Sequence, residues 1–215
     1  VVANFASQPD RLCLNNGSGG FGTCSSFNGL DISRSVALGD VNGDGWLDVV
    51  MAADISTSEK LCLNNGSGVL SGCTTFNGTD NTIGIALGDI NNDGWLDVVV
   101  TNGSGAGNAE KLCLNNGSGG FPLCSSFNSL ETNRGVALGD INNDGWLDAV
   151  LSASTGGDKL CLNSGTGGFG TCSSFNTADS SPGVALGDIN NDGLLDAVLV
   201  NIDTAADDRL CLNNG

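Results

Sequence analysis

The stretch Ala37-Leu38-Gly39-Asp40-Val41-Asn42-Gly43-Asp44-Gly45-Trp46-Leu47-Asp48-Val49-Val50 recurs almost unchanged three more times along the chain. The later copies have their first aspartates at Asp89, Asp140 and Asp188. Each copy has an oxygen-bearing side chain at every second position and a glycine at the sixth. This pattern is typical of a short loop that wraps a calcium ion, because calcium takes about six to eight oxygen ligands and glycine permits the sharp turn.

Each loop is predicted to supply four side-chain ligands, at positions one, three, five and nine, and the backbone carbonyl of position seven. Four loops of this kind predict four calcium sites. Surface turns are the alternative, since Asp, Asn and Gly favour turns, but turn chemistry does not require every ligand position to be kept in four copies. The four ligand sets are Asp40, Asn42, Asp44, Trp46 and Asp48; Asp89, Asn91, Asp93, Trp95 and Asp97; Asp140, Asn142, Asp144, Trp146 and Asp148; and Asp188, Asn190, Asp192, Leu194 and Asp196.

An EF-hand is the main competitor for this loop pattern. It would place a bidentate Glu at the twelfth position, where this chain has Met51, Val100, Leu151 and Leu199. Short runs with β-branched residues follow the loops, and a glycine comes just before each of them. The flanks therefore predict strands rather than helices.

Composition excludes several function classes. The chain of 215 residues has 24 acidic and seven basic residues, a net charge of −17, and it offers no basic patch for nucleic acid. It has no histidine and no tyrosine, so it lacks the commonest general base and the usual Ser-His and Cys-His pairs, and we predict a non-enzymatic protein. No apolar run reaches the roughly eighteen residues that a membrane span needs.

The cysteines mark a repeat of about 50 residues. The first cysteine of each repeat is Cys13, Cys62, Cys113, Cys161 and Cys211, at spacings of 49, 51, 48 and 50. We treat 1–215 as one repeat domain with units 1–48, 49–97, 98–148 and 149–196 and a partial unit 197–215. Such a period is typical of a β-propeller or another stacked β array. Four strands are predicted per unit: A (Ser35 to Gly39), B (Leu47 to Ala52), C (Lys60 to Asn64) and D (about Leu70 to Phe76).

Strands C and D each carry one cysteine of a pair eleven residues apart. If Asn-Gly-Ser-Gly closes a tight hairpin, the two cysteines lie opposite each other, while Leu12, Leu14, Phe21 and Phe27 take the other face. The disulfide side is then expected to be polar. Free thiols or a metal site are the alternatives. The predicted disulfides imply an oxidising compartment and an extracellular or cell-surface location. The pairs are Cys13 and Cys24, Cys62 and Cys73, Cys113 and Cys124, and Cys161 and Cys172, and Cys211 is left unpaired or intermolecular.

Three smaller patterns also repeat. The basic residues Arg11, Lys60, Lys111, Lys159 and Arg209 each follow an acid; we interpret them as a solvated strand edge, with a ligand-binding ring as the alternative. Trp46, Trp95 and Trp146, with Leu194 in the fourth unit, are expected to pack between blades rather than to stack on sugars. Asn16, Asn65, Asn77, Asn102 and Asn116 begin Asn-x-Ser/Thr sequences, which accept glycans in a host with that machinery.

Two segments carry a resemblance to a known family. Residues 86–100, Ala-Leu-Gly-Asp-Ile-Asn-Asn-Asp-Gly-Trp-Leu-Asp-Val-Val-Val, and residues 61–68, Leu-Cys-Leu-Asn-Asn-Gly-Ser-Gly, resemble the FG-GAP and VCBS repeats of integrin-α-like β-propellers. The resemblance covers essentially the whole chain. It implies four-stranded blades with strand A nearest the axis and a calcium ion in each A–B loop, and a role in adhesion, ligand recognition or as a lectin. The paired cysteines depart from the family's general pattern.

We therefore expect an all-β, propeller-type array of four-stranded antiparallel blades that serves outside the cell in adhesion or ligand recognition. Its partner would be a protein or glycan on a cell surface or matrix. One alternative is a structural subunit that self-assembles through incomplete terminal blades into a filament or surface layer. Another is a lectin with sites between blades. The sequence leaves the blade number open, because three arrangements are compatible with it. The ring closes within the chain, neighbouring copies complete it, or the chain is a piece of a longer repeat protein.

Overall fold

A computed structural model describes residues 1–4, 8–29, 31–54, 57–103, 109–128, 132–176, 180–202 and 207–215. Within these residues the chain forms seventeen strands and no helix, and so no helix that could cross a membrane. The strands are β1 (Arg11–Leu12), β2 (Ser25–Ser26), β3 (Ser33–Gly39), β4 (Asp48–Ala53), β5 (Glu59–Asn64), β6 (Leu70–Phe76), β7 (Thr82–Gly88), β8 (Asp97–Asn102), β9 (Lys111–Leu114), β10 (Leu123–Ser126), β11 (Asn133–Gly139), β12 (Asp148–Ala153), β13 (Lys159–Cys161), β14 (Ser173–Ser174), β15 (Gly183–Gly187), β16 (Asp196–Val200) and β17 (Arg209–Cys211).

The strands pair in chain order within five antiparallel sheets. We number them sheet I (β1–β2), sheet II (β3–β6), sheet III (β7–β10), sheet IV (β11–β14) and sheet V (β15–β17). Sheets II to IV have the predicted strand order A, B, C, D, sheet V has A, B and C, and sheet I has C and D. The predicted all-β, propeller-type repeat array is confirmed.

Strand B forms the interior of each complete sheet. Every residue of β4, β8 and β12 is buried, because sheets pack against these apolar runs from both sides. One core cluster joins Val50 and Phe76 of sheet II to Val98 and Phe121 of sheet III and its hairpin. The continuous core across sheets explains why a single unit would not be expected to fold alone.

Strand A of each sheet lies close to strand A of the next. A side chain on Gly84 of β7 would collide with the carbonyl oxygen of Arg134 in β11, and one on Gly135 would approach the backbone of Gly183 in β15. The A strands therefore pack backbone to backbone at these points, which only glycine allows.

The structure contains four disulfides, each joining the two cysteines that lie eleven residues apart. Cys113 pairs directly with Cys124 across β9 and β10. The expectation of a polar disulfide face is wrong. Cys62, Cys113 and Cys161 are fully buried and join the hydrophobic clusters, because strand C is covered by neighbouring sheets on both faces.

The first and last sheets are not joined in this structure. Strand β2 pairs with β1, and β17 pairs with β16. Cys13 is bonded to Cys24, and Cys211 is a partly buried free thiol. The arrangement in which the N-terminal strand D completes the last sheet is therefore not formed. Burial raises the pKa of the Cys211 thiol.

Candidate metal loops and interblade clefts

The four repeated loops share one backbone conformation. In the first loop Gly43 and Gly45 have positive φ angles of 72° and 88°. The position of Gly43 is taken in later loops by Asn92, Asn143 and Asn191, which also have positive φ; asparagine tolerates this region better than most residues. Positions four and six of each loop thus both adopt a left-handed backbone conformation.

The loop carboxylates are held by loop amides. In the first loop the Asp44 and Gly45 amides donate to the two oxygens of Asp40 at 3.0 and 2.8 Å. The Trp46 amide donates to Asp44 Oδ1 at 2.9 Å. The other three loops repeat these bonds with distances within 0.1 Å. The loops are therefore one structure built four times.

The aspartate at position nine connects each loop to strand C. Asp48 is fully buried, and its two oxygens accept bonds from the amides of Val41 at 3.0 Å and Asn64 at 2.9 Å. Asp97, Asp148 and Asp196 are equally buried and make the equivalent bonds. Burial raises the pKa of Asp97 and Asp148, while the amide bonds oppose that rise.

The donor chemistry of each loop fits calcium: three carboxylates, one amide oxygen and one carbonyl are the hard oxygen ligands that calcium takes. In the described part of the chain, no three acidic, histidine or cysteine side chains converge tightly enough to hold a metal by themselves. Each carboxylate oxygen has more than one lone pair, so an amide hydrogen bond and a metal bond can share it. The sixteen predicted side-chain ligands remain a prediction, as do the four carbonyl ligands.

An asparagine that the sequence reasoning missed links each of the first three loops to the following sheet. Asn115, at the end of strand C in sheet III, donates through Nδ2 to the carbonyl of Val41 in the preceding loop at 2.9 Å. Asn163 does the same to Ile90, and Asn213 to Ile141, both at 2.9 Å. The signal was the asparagine that follows Leu-Cys-Leu in every unit.

All three loop tryptophans lie over a glycine of their own hairpin, Trp95 over Gly117 and Trp146 over Gly165, and they differ in what else they contact. Trp95 lies against Gly43 of the preceding loop, where any side chain would collide with its ring, so it packs between sheets as expected. Trp46 lies over Gly66 of its own hairpin, and 51% of its surface is exposed. The expected packing between sheets does not describe Trp46.

The interpretation of the acid-base pairs as a solvated strand edge is wrong for four of the five acids. Asp10, Glu59, Glu110 and Asp158 are fully buried, because strand C is an interior strand that strand D covers. Asp10 accepts from Asn28 Nδ2 at 2.9 Å and from Ser33 Oγ at 2.8 Å, which fastens strand C to the first residue of the next strand A.

The same clamp recurs in the later sheets. Glu59 accepts from the Thr82 hydroxyl, Glu110 from Asn133 Nδ2 at 2.7 Å, and Asp158 from Asn176 Nδ2 at 2.7 Å. The basic neighbours turn outward to other partners: Lys60 pairs with Asp31, and Lys111 pairs with Asp80. Burial raises the pKa of Glu59 to about 7, with a smaller contribution from the nearby charge of Asp80.

The predicted glycan acceptors differ in access. Asn16, Asn65 and Asn116 lie in hairpin turns, where each side-chain oxygen accepts the amide two residues on at 2.9 to 3.0 Å. Asn102 is fully buried, and its Nδ2 donates to the carbonyl of Ala109, so the folded chain does not present it to solvent.

Two clefts of the same construction lie between consecutive sheets. The first, about 240 Å³, is lined by Thr74, Thr75 and Phe76 of strand D in sheet II and by Phe121 of the next hairpin. The second, about 470 Å³, repeats this between sheets III and IV with Ser125, Ser126, Phe127 and Phe169. The ring centroids are 4.9 Å apart in the first pair and 4.7 Å in the second. Exposed hydroxyls therefore border an aromatic pair in both clefts; the pair is buried in the first cleft and half-buried in the second.

Solved structures with the same fold include a lectin and a biofilm matrix protein. One is an Agrocybe aegerita lectin that recognises non-reducing terminal N-acetylglucosamine (TM-score 0.61, 19% identity), which matches 95% of this chain over 60% of its own length. Another is the V. cholerae biofilm matrix protein Bap1 (TM-score 0.52, 17% identity), which matches 92% of this chain over 35% of its own. At these identities the likeness shows the fold alone. No curated protein sequence matches the chain.

The repeated sheets and loops define a propeller-type β-repeat protein. The profile of the FG-GAP-like repeat matches four consecutive segments, residues 1–51, 40–100, 94–151 and 140–199. The chain belongs to the FG-GAP-like repeat family.

Proposed function

We propose that this chain is an extracellular, non-enzymatic recognition protein that binds glycans in the clefts between its sheets. The observation that carries the proposal is the repetition of one cleft at two successive junctions, each with an aromatic pair beside exposed hydroxyls. Sugar rings stack their C–H faces on aromatic rings, and their hydroxyls bond to polar side chains at the border. The structural likeness to a glycan-binding lectin supports this choice of ligand.

The four disulfides support a location outside the cell, since cytosolic thiols are kept reduced. For a glycan-binding protein outside the cell, the proposed role is adhesion to a glycan of the matrix or of a cell surface. The likeness to a biofilm matrix protein points to the same setting.

Calcium is proposed to stabilise the frame that presents these clefts. The residues at loop positions one, three, five, seven and nine would hold the ion, and the ion would neutralise the clustered carboxylates. Position nine also anchors strand C, and the asparagine after strand C reaches the preceding loop. An ion that orders a loop would therefore also hold in place the strand C–D hairpin that forms one wall of a cleft.

A glycan array probed with the intact chain tests the proposed function. Binding is expected, and it should fall for Thr75→Trp and Ser126→Trp, which fill the first and second cleft. Ser26→Trp is the matched control, because it lies at the same strand D position in β2 and outside both clefts. Absence of any glycan binding, or equal loss in all three variants, would contradict the proposal.

A further inference from the structure

A polar cavity of about 560 Å³ opens at the ends of the sheets opposite the loops. Strand A begins there and strand B ends there, so the cavity collects residues from three successive sheets. Arg34 comes from sheet II, Asn81 and Ile83 from the start of sheet III, and Arg134 from sheet IV. This volume is within the range of about 300 to 1,000 Å³ that holds small ligands.

The two arginines are unusual in this chain. Five of the seven basic residues occupy the strand C position, and the remaining two, Arg34 and Arg134, line this one cavity. In a chain with a net charge of −17, this cavity is lined by both remaining arginines, and Arg134 supplies the positive charge for an anion because Arg34 is paired with Asp54. Neither the loops nor the clefts use them.

The arginines are held in different ways. Arg34 Nη2 pairs with Asp54 at 3.0 Å, and this ion pair fixes the guanidinium at the wall. Arg134 Nη2 lies 3.5 Å from Ser154 Oγ. No carboxylate of the described residues forms an ion pair with Arg134. The planar guanidinium of Arg134 is therefore the group suited to a bidentate bond with a carboxylate ligand.

The rest of the lining favours a sugar over a peptide. Asn81, Thr132, Ser154 and Thr155 supply amide and hydroxyl groups, and Ile83 is the one aliphatic side chain. Asn81 Oδ1 is buried and accepts no hydrogen bond within the described structure, while the residue itself contributes to the cavity wall. The lining offers hydrogen bonds around a compact polyhydroxylated ring and little surface for apolar side chains.

We infer that this cavity binds a carboxylate-bearing sugar, a uronate, with Arg134 on the carboxylate and the amide and hydroxyl side chains on the ring hydroxyls. The site is separate from the interblade clefts, and it does not depend on the proposed function. A free uronate and the uronate end of a polysaccharide share this chemistry.

Calorimetric titration with D-glucuronate tests the inference, with D-glucose and acetate as the partial ligands. Glucuronate should bind, and both partial ligands should bind at least about tenfold more weakly, because each loses one set of polar contacts. A glucuronate-terminated disaccharide distinguishes the two sources: tighter binding than the monosaccharide indicates a chain end, and equal binding indicates the free sugar.

Two variants of Arg134 and one control variant locate the binding. Arg134→Gln should weaken glucuronate at least about tenfold, and Arg134→Lys should weaken it less, because lysine keeps the charge without the planar fork. Arg11→Gln, an equal charge change on the exposed β1 strand, should leave binding unchanged. Equal loss in Arg134→Gln and Arg11→Gln would overturn the assignment, as would equal binding of acetate or glucose, or no binding of glucuronate.

Discussion

The two ends of the sheets differ in how strictly their surface residues repeat, although buried acid clamps recur at the end opposite the loops. At the loop end the same hydrogen bonds occur four times with nearly the same distances, down to the amides on Asp40, Asp89, Asp140 and Asp188. At the opposite end one position of strand A is Arg34, Ile83, Arg134 and Pro182 in successive sheets. Repetition at the loop end indicates a structural frame, whereas the varied position at the other end lines the cavity for which we propose a ligand.

The largest expected loss of stability comes from replacing the aspartate at loop position nine, which anchors the repeated loop structure. Asp97→Ala would leave the buried amides of Ile90 and Asn115 without their acceptor, and we expect a loss of about 4 kcal/mol in the free energy of unfolding. Denaturant unfolding in a chelator measures this. Asp93→Ala in the same loop is the control, since Asp93 is exposed and should cost well under half as much. Equal costs would contradict a frame anchored at position nine.

A smaller loss in the free energy of unfolding is expected when a hairpin disulfide is removed, since the disulfides belong to neither end of the sheets. Replacing Cys113 and Cys124 by serine opens a short loop and should cost about 3 kcal/mol. The control is Cys211→Ser, which removes a thiol but no disulfide. Unfolding curves for the two variants should separate clearly. If they coincide, the disulfide does not stabilise the folded chain.

Glu59, the buried acid of sheet II, lies at the end opposite the loops and makes the stability of the fold depend on pH. Burial raises the pKa of Glu59 from 4.5 to about 7, so the folded chain binds the proton more tightly than the unfolded chain. Stability contributed by the protonated carboxyl is therefore lost as pH rises from 4.5 to about 7, by about 2 to 3 kcal/mol.

Glu59→Gln tests this, because glutamine keeps an acceptor for the Thr82 hydroxyl and does not titrate. The variant should lose this part of the pH dependence and become more stable than the parent chain at pH 8. Asp208→Asn is the control, at the same repeat position but exposed, and it should keep the parent's dependence. A Glu59→Gln profile parallel to the parent's would contradict the prediction.

The smallest effect concerns the outward-facing cations. Lys60 pairs with Asp31 at a site where both side chains are partly exposed. Lys60→Met should change the free energy of unfolding by about 0.5 kcal/mol, because solvent screens such pairs. Thermal unfolding at low and high salt measures this. A loss comparable to that of Asp97→Ala would mean that the cations are part of the frame.

The loop end was the part of the molecule that sequence could predict. Periodic glycines and aspartates identify the loops, and the apolar runs after them identify strand B, because both patterns are local. The cysteine spacing predicted the hairpin register, which β9 and β10 adopt at Cys113 and Cys124.

The opposite end depends on contacts between distant residues. Each clamp joins an acid to a partner 23 residues later, and those of Asp10 and Asp158 add a partner 18 residues later. That constant spacing was a usable signal, but charged residues before a strand are usually exposed. The cavity around Arg34 and Arg134 draws its lining from three sheets, so no single unit contains its pattern.

Calcium binding by the intact, disulfide-bonded chain is the most direct test of the frame. After removal of metal by a chelator, calorimetric titration should find four calcium ions per chain, with dissociation constants of about 10⁻⁴ to 10⁻³ M. The melting temperature should rise as the sites fill, because only the folded loops hold the ion. No calcium bound at millimolar concentration, or an unchanged melting temperature, would contradict the account.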